Sequence, residues 1–424
     1  MTARPGSIVA RRGIQDWTFV SLGILLSLYG IAMVYSAGQT DVPIAVVAGA
    51  WKRQLIWFGL SLPAAYLVSR SSLRLIEWMS WPAYLFGCFL LVVTLLFGSG
   101  AGTAASVKGW LTIGGVRLGQ PAELAKPVTV LLLARLLTQK REDPKWILDL
   151  WRPLLAVGVP WVLIMLQPDL GSGLAFIGVL FAMLFWAGVP WPMIVLLASP
   201  GISLVLSFNT PLWGAWFFLL IALIFYYKPY LLEGVAVIVL NIAAGLASQP
   251  FWDKLKPYQQ KRLMVFLDPQ NDPRASGYHV IQSQVAIGSG GWLGKGWTQG
   301  TQKRLAFLPA QHTDFIWAVV GEELGFLGVV AGLTLFLALL MRGTRIASRA
   351  TDPFASLAAF GLVSIWFVHI LVNVGMTLNL MPITGIPLPF FSYGGSSLLI
   401  SWLMIGLLVR IASEGRGRTD AVTV

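Results

Sequence analysis

Two aspartates, Asp268 and Asp272, stand in LDPQNDPRASGYHVIQSQVAIGSGG, residues 267–291. A carboxylate in so polar a stretch can take a proton from a hydroxyl, provided that cations nearby hold the leaving group. Cations and further carboxylates occur in three other stretches. QPAELAKPVTVLLLARLL (120–137) puts Glu123 and Lys126 three residues apart, on one helix face. Charges inside an apolar helix mark a functional site by default; the plainer alternative is a local ion pair that fixes packing. QPDLGSG (167–173) carries Asp169, a candidate site residue that is also a natural helix cap. HTDFIWAVVGEELGFLG (312–328) adds Asp314, Glu322 and Glu323. The two glutamates are adjacent, so on a helix they diverge by about 100° and cannot both face one cavity squarely.

Several chemistries are excluded. GSGGWLGKGW (288–297) has the look of a phosphate loop, but Ser289 stands where that motif needs glycine and Gly296 where it needs Ser or Thr. The histidines, at 279, 312 and 369, lack zinc-site spacing, and no GxSxG elbow occurs. A single cysteine, Cys88, rules out an intrachain disulfide. Carboxylates remain as the acid–base groups. With basic partners they suit glycosyl transfer from a lipid-linked sugar, a reaction that needs no nucleotide.

The elements that must position these groups are membrane helices. The chain is 56% hydrophobic and 11% charged, with 19 tryptophans and a mean hydropathy of +0.74. Apolar runs of span length recur along it. The sequence predicts an all-α polytopic membrane protein with 10–12 transmembrane helices, forming one integral membrane domain over 1–424. The predicted spans are 17–36, 54–69, 79–98, 121–138, 151–167, 171–188, 191–208, 213–227, 232–249, 315–341, 355–380 and 390–411. The first span has no cleavage site and is expected to be retained.

The net charge of +12 is explained by basic residues at span ends, not by nucleic acid. With Arg4, Arg11 and Arg12 inside, most other basic clusters fall inside as well, and both termini are expected to be cytoplasmic; Lys52 and Arg53 dissent. A large extracytoplasmic loop over 250–314 then carries the polar stretch. MPITGIPLPFFSYGGSS (381–397) breaks an apolar region with three prolines and three glycines. Irregular backbone at that depth is expected where protein buries it or water fills a cavity. These features converge on a cavity open to the outer leaflet.

Four blocks together resemble the SEDS family (shape, elongation, division and sporulation), its RodA branch more than FtsW. They are QPAELAK (120–126), QPDLGSG (167–173), residues 268–325, and NVGMTLNLMPITGIPLPFFSYGGSS (373–397). GKGW, GTQ and FLP within the third are RodA-like. The resemblance implies a peptidoglycan glycosyltransferase that polymerises lipid II at the outer face of the bacterial inner membrane, with a class B penicillin-binding protein and other elongation-complex membrane proteins as partners. It implies that Asp272 is catalytic, and it maps the family's charged pair to Glu123 and Lys126 and its PDLG aspartate to Asp169. Ala122, Ala310 and Trp317 depart from the usual residues. So does the length of 191–249, read as a two-helix insertion beyond the usual ten spans.

In the implied reaction Asp272 deprotonates the acceptor 4-hydroxyl, which attacks the donor's anomeric carbon with inversion as undecaprenyl pyrophosphate leaves. Lys126, Lys295 and Arg117 are candidates to hold that pyrophosphate, and Gln282 and Ser283 to line the cavity. The sequence leaves a divalent cation, Mg2+ or Mn2+, open, and names no certain cofactor. Three other readings fit the architecture: a lipid II flippase, a non-catalytic scaffold, and an FtsW-like division enzyme. Clustering of the ionisable groups at one face favours an enzyme over a transporter.

Overall fold

The computed structural model describes residues 16–41, 45–100, 109–113, 116–139, 144, 146–255, 257–267, 276–305, 307–308 and 310–419. It opens with α1 (Trp17–Ala37), whose Asp16 cap accepts from Phe19 N at 3.1 Å. A short α2 (Ala45–Ala48) leads to α3 (Ala50–Ser69) and α4 (Leu73–Phe97). An antiparallel hairpin of β1 (Leu111–Ile113) and β2 (Val116–Gly119) precedes α5 (Pro121–Thr138). Next come α6 (Trp151–Leu166), α7 (Leu170–Trp186), α8 (Trp191–Leu206), α9 (Thr210–Tyr227) and α10 (Leu231–Leu246). Four helices that are not full spans follow: α11 (Ser248–Lys254), α12 (Pro257–Leu267), α13 (Ser276–Ser289) and α14 (Thr301–Arg304). The chain ends with α15 (Ile316–Arg349), α16 (Pro353–Thr377) and α17 (Gly395–Thr419).

A helix coincides with each of the twelve predicted spans. Among the described residues, seven helical segments are long and apolar enough to cross a membrane on length and composition alone, and α10 with α11 makes an eighth if their 46° bend lies within one span. The others fall short for physical reasons: α7 and α8 are apolar but shorter, and α3 and α5 carry Lys52 and Arg53, and Glu123, Lys126 and Arg135. The hairpin is an addition to the all-α expectation. A Gly-Gly pair at 114–115 is its signal in the sequence.

The most buried helix is α16, packed among α5, α7, α13, α15 and α17. Buried alanines at 355, 358 and 359 let neighbours approach closely, as small residues do between membrane helices. At the periphery, α9 exposes Phe218, Phe225 and Tyr226. It is held by a buried polar cluster in which Asn241 donates to Ser199 Oγ (2.7 Å), Ser203 donates to Asn241 Oδ1 (2.6 Å), and Trp216 Nε1 donates to Ser203 Oγ (3.1 Å). Asn241 also donates to Val237 O at 2.8 Å, so its buried amide is fully paired and pins these helices together.

The described residues of 276–315 gather at the end of α16, where Ser283 donates to Thr377 O and Asn373 donates to Asp314 O. There α15 is broken at Gly325, whose φ is 61° and ψ −159°. A break strands helix carbonyls and amides, and the glycine-rich segment after α13 takes them up. Lys295 N and Gly296 N donate to the carbonyls of Glu322 and Glu323, each at 3.0 Å, while Phe326 N and Leu327 N donate to Gly291 O (2.9 Å) and Trp292 O (3.2 Å). The look-alike phosphate loop is thus a strap across a helix break. Gly294 has φ +78° and would place a Cβ 2.1 Å from Glu323 O. Gly294→Ala is therefore expected to cost at least ~1–2 kcal/mol for the left-handed backbone alone, read as a lower melting temperature in detergent. Gly288→Ala, with open space around its Cβ, should melt like the unaltered protein.

Candidate functional site

Pro121 starts α5 and Glu123 falls in its first turn, where a carboxylate suits the positive end of the helix dipole. Three residues on, Lys126 Nζ lies 2.7 Å from Glu123 Oε1, and both side chains are buried. The same ammonium lies 2.7 Å from His369 Nε2 on α16. His369 Nδ1 is 3.2 Å from Pro387 O. A carbonyl only accepts, so Nδ1 carries the hydrogen and Nε2 presents its lone pair to Lys126. Glutamate, ammonium and neutral imidazole form a trio of zero net charge, which a low-dielectric interior tolerates far better than a lone cation. Among the described residues, Glu123 and His369 take up two of the three ammonium N–H groups, and a third could donate to an incoming oxygen.

Asp169 is the N-cap of α7. Its carboxylate accepts from Ser172 N at 3.0 Å and from Gln120 Nε2, just before α5, at 3.2 Å. The capping alternative is thus realised, and it ties α7 to the start of α5. Thr384 of the irregular 381–394 stretch lies against Gly171, so the PDLG turn, α5 and that stretch meet at one end.

Lys295 and Ser283 are engaged elsewhere. Lys295 Nζ bonds Glu322 Oε1 at 2.8 Å and Thr301 Oγ1 at 2.7 Å. Ser283 is fully buried on α13 and donates to Thr377 O, the last residue of α16, at 2.9 Å. Gln282 is half-buried on α13. Arg117 lies on β2, its backbone paired with Thr112, and its side chain is outside the described residues. So are Asp268 and Asp272. The segment that carries them joins Leu267, ending α12, to Ser276, opening α13. Among the described residues no group of three or more His, Cys, Asp or Glu gathers to hold a metal ion.

Glu322 and Glu323 diverge, as adjacent helix residues must, into two pairs at the same strap. Glu323 meets Lys303 at 2.5 Å with both side chains fully buried; it also accepts from Ser36 Oγ at the end of α1 and from Gly300 N at 3.2 Å. Sequence reasoning missed Lys303 and His369. The intramembrane signal that marked Lys126 applies equally to His369, an ionisable residue in the apolar run SIWFVHILV (364–372). Lys303 had no such signal, because its partner is twenty residues away.

Asp314 stands just before α15. Burial pushes its carboxyl up to about 6, against the opposing pull of Arg262 and a hydrogen bond from Thr313. The ring of His279 stacks on neighbouring Phe315, and burial first, then Arg262, lowers that imidazole. An acid whose pKa is raised on folding binds more protons native than unfolded. Its contribution to stability is therefore present at low pH and is lost as pH rises through the window from 3.8 to about 6. Asp314→Asn should flatten that decline, seen as the difference between melting-temperature curves of the two proteins from pH 4 to 7.

A bundle of membrane helices whose buried ion pairs cluster at one end, under a strap and an irregular loop, is an integral membrane protein with its polar site at one surface. The family model described as a cell cycle protein and covering FtsW, RodA and SpoVE matches residues 16–219 and 214–417. Peptidoglycan glycosyltransferase MrdB of Escherichia coli K12 is 34% identical over 96% of both chains. Peptidoglycan glycosyltransferase RodA of Treponema pallidum is 32% identical over 94% of this chain and 98% of its own. Thermus thermophilus RodA superposes with a TM-score of 0.61 at 26% identity, covering 94% of this chain and 96% of that one. A chain in a structure titled for the coordination of polymerization and crosslinking by a peptidoglycan synthase complex reaches 0.70 at 30% identity, covering 94% and 98%. The chain belongs to the FtsW/RodA/SpoVE family. It is a polytopic membrane enzyme, a glycosyltransferase.

Proposed function

We propose that this peptidoglycan glycosyltransferase polymerises lipid II, the disaccharide-pentapeptide on undecaprenyl pyrophosphate, in RodA-like cell elongation. Asp272 is the general base. It takes the proton of the acceptor 4-hydroxyl, the oxygen bonds to the donor's anomeric carbon from the face opposite the leaving group, and the bond to pyrophosphate breaks with inversion. Lys126 supplies a fixed positive charge for that pyrophosphate. In this reading the chain is one integral membrane domain with a two-helix insertion in 191–249. Both termini are cytoplasmic and the loop-bearing end faces outward from the inner membrane.

The observation that carries the reading is the buried Glu123–Lys126–His369 trio, at the same end of the bundle as the helices that anchor the Asp272 segment. A cation in a low-dielectric site attracts phosphate far more strongly than one in water. The partner is a class B penicillin-binding protein, supported by the similar chain whose structure is titled for polymerization and crosslinking in one complex.

The test is incubation of the purified protein and its cognate penicillin-binding protein, transpeptidase blocked, with purified lipid II. Glycan chains on a gel are expected. Lipid II that crosses liposome membranes without forming chains would overturn the reading in favour of a transporter.

A further inference from the structure

We propose that His369 is a positioning residue for glycosyl transfer, holding the Lys126 ammonium in place for the pyrophosphate of the lipid-linked donor. The proposal rests on the reading of Lys126 as the pyrophosphate cation, and goes beyond it in assigning the group that aims that cation. Lys126 sits on a four-carbon stem that by itself fixes no direction. Glu123, three residues away on the same helix, can restrain the ammonium but cannot locate it relative to the rest of the site. His369 can, because it comes from another helix. Its Nε2 is 2.7 Å from Lys126 Nζ and its Nδ1 is 3.2 Å from Pro387 O. The imidazole is therefore a fixed bridge from α5 to the irregular stretch that follows α16. Nearby, Asn373 Nδ2 donates to Ile386 O at 2.8 Å and to Asp314 O at 3.2 Å, so the carbonyls of 386 and 387 are both tied to α16. The bridge requires a neutral ring with its hydrogen on Nδ1, since a second ring hydrogen would face an ammonium. Asparagine in place of His369 mimics Nδ1 and stops short of Lys126; glutamine reaches about as far as Nε2 and offers an acceptor; leucine offers none.

The test measures kcat and KM for lipid II polymerisation, with the cognate penicillin-binding protein present, for four variants: His369→Gln, His369→Leu, Lys126→Ala and the double variant Lys126→Ala/His369→Leu. His369→Leu should raise KM roughly tenfold, the effect of losing a hydrogen bond to a charged group, with kcat within about threefold. His369→Gln should stay near the unaltered protein in both constants. The double variant should be no worse than Lys126→Ala, because the two residues act as one unit. If the leucine protein does not purify folded, His369→Asn carries the same expectation. An unaltered KM in His369→Leu would overturn the proposal. So would equal kcat losses in the Gln and Leu proteins at constant KM, or additive losses in the double variant, either of which marks a purely structural histidine. An unaltered KM in Lys126→Ala would instead overturn the reading of Lys126 itself, and this proposal with it.

Discussion

Asp272→Asn is expected to reduce lipid II polymerisation by ~10²–10⁴-fold, the range that general-base help supplies, while the protein melts at the same temperature. Asparagine keeps the size and polarity of the side chain but cannot accept the proton of the acceptor hydroxyl. The loss should therefore appear in kcat and in kcat/KM alike, with binding of the donor retained. That separates it from the His369 variants, whose effect lies in KM. Asp268→Asn is the natural comparison. It lies four residues away on the same segment between α12 and α13, and it should retain near-normal turnover. Glycan chains of normal yield from Asp272→Asn would move the base elsewhere; Asp314 would then be the next carboxylate to replace.

The second large effect is on stability. Lys303→Met should destabilise the protein by ~3–5 kcal/mol, because it leaves a buried carboxylate without its cation. The Lys303 ammonium lies 2.5 Å from Glu323 and donates to both Ser36 O (2.7 Å) and Ser36 Oγ (2.6 Å). It joins the end of α1, the short α14 and the head of α15 at a single point. Burial pushes the ammonium down from its ordinary range, and the Glu323 hydrogen bond opposes that push. Such a balance fails when one member is removed and recovers when both are neutral. The double variant Lys303→Met/Glu323→Gln should regain most of the lost stability, measured by thermal unfolding in detergent. Equal destabilisation of single and double variants would mean that the lysine acts by packing alone.

What the sequence made legible was local. Apolar runs of helical length gave twelve segments, and a helix lies at each of them. The spacing of Glu123 and Lys126 gave their ion pair, since residues three apart on a helix are neighbours. Asp169 between Pro and Gly gave its cap. What was not legible depends on segments distant in sequence. Lys295 reads as a free cation beside glycines, yet it meets Glu322 only because the strap crosses the break in α15. The glycines at 290–296 imitate a phosphate loop without its defining residues. Their role instead follows from Gly325 in GEELGFLG (321–328), where α15 breaks. His369 has no zinc-site spacing to other histidines, and its partner is an ammonium 243 positions earlier.

The break in α15 has a mechanical consequence. An unbroken helix of 34 residues would be a rod of ~51 Å, well beyond the ~30 Å of a hydrocarbon core. Instead a long arm from Phe326 to Arg349 meets a short head at an elbow. Four backbone hydrogen bonds cross that elbow from the 291–296 strap, two on each side of Gly325, so it is splinted and cannot swing freely. A load that tilts the arm, from a change in bilayer thickness or a helix pressing from the side, is therefore passed into the strap. The strap continues directly from α13, and α13 begins at Ser276, where the Asp272 segment ends. In the chain, α13 is what separates the splinted elbow from the residues that carry Asp272.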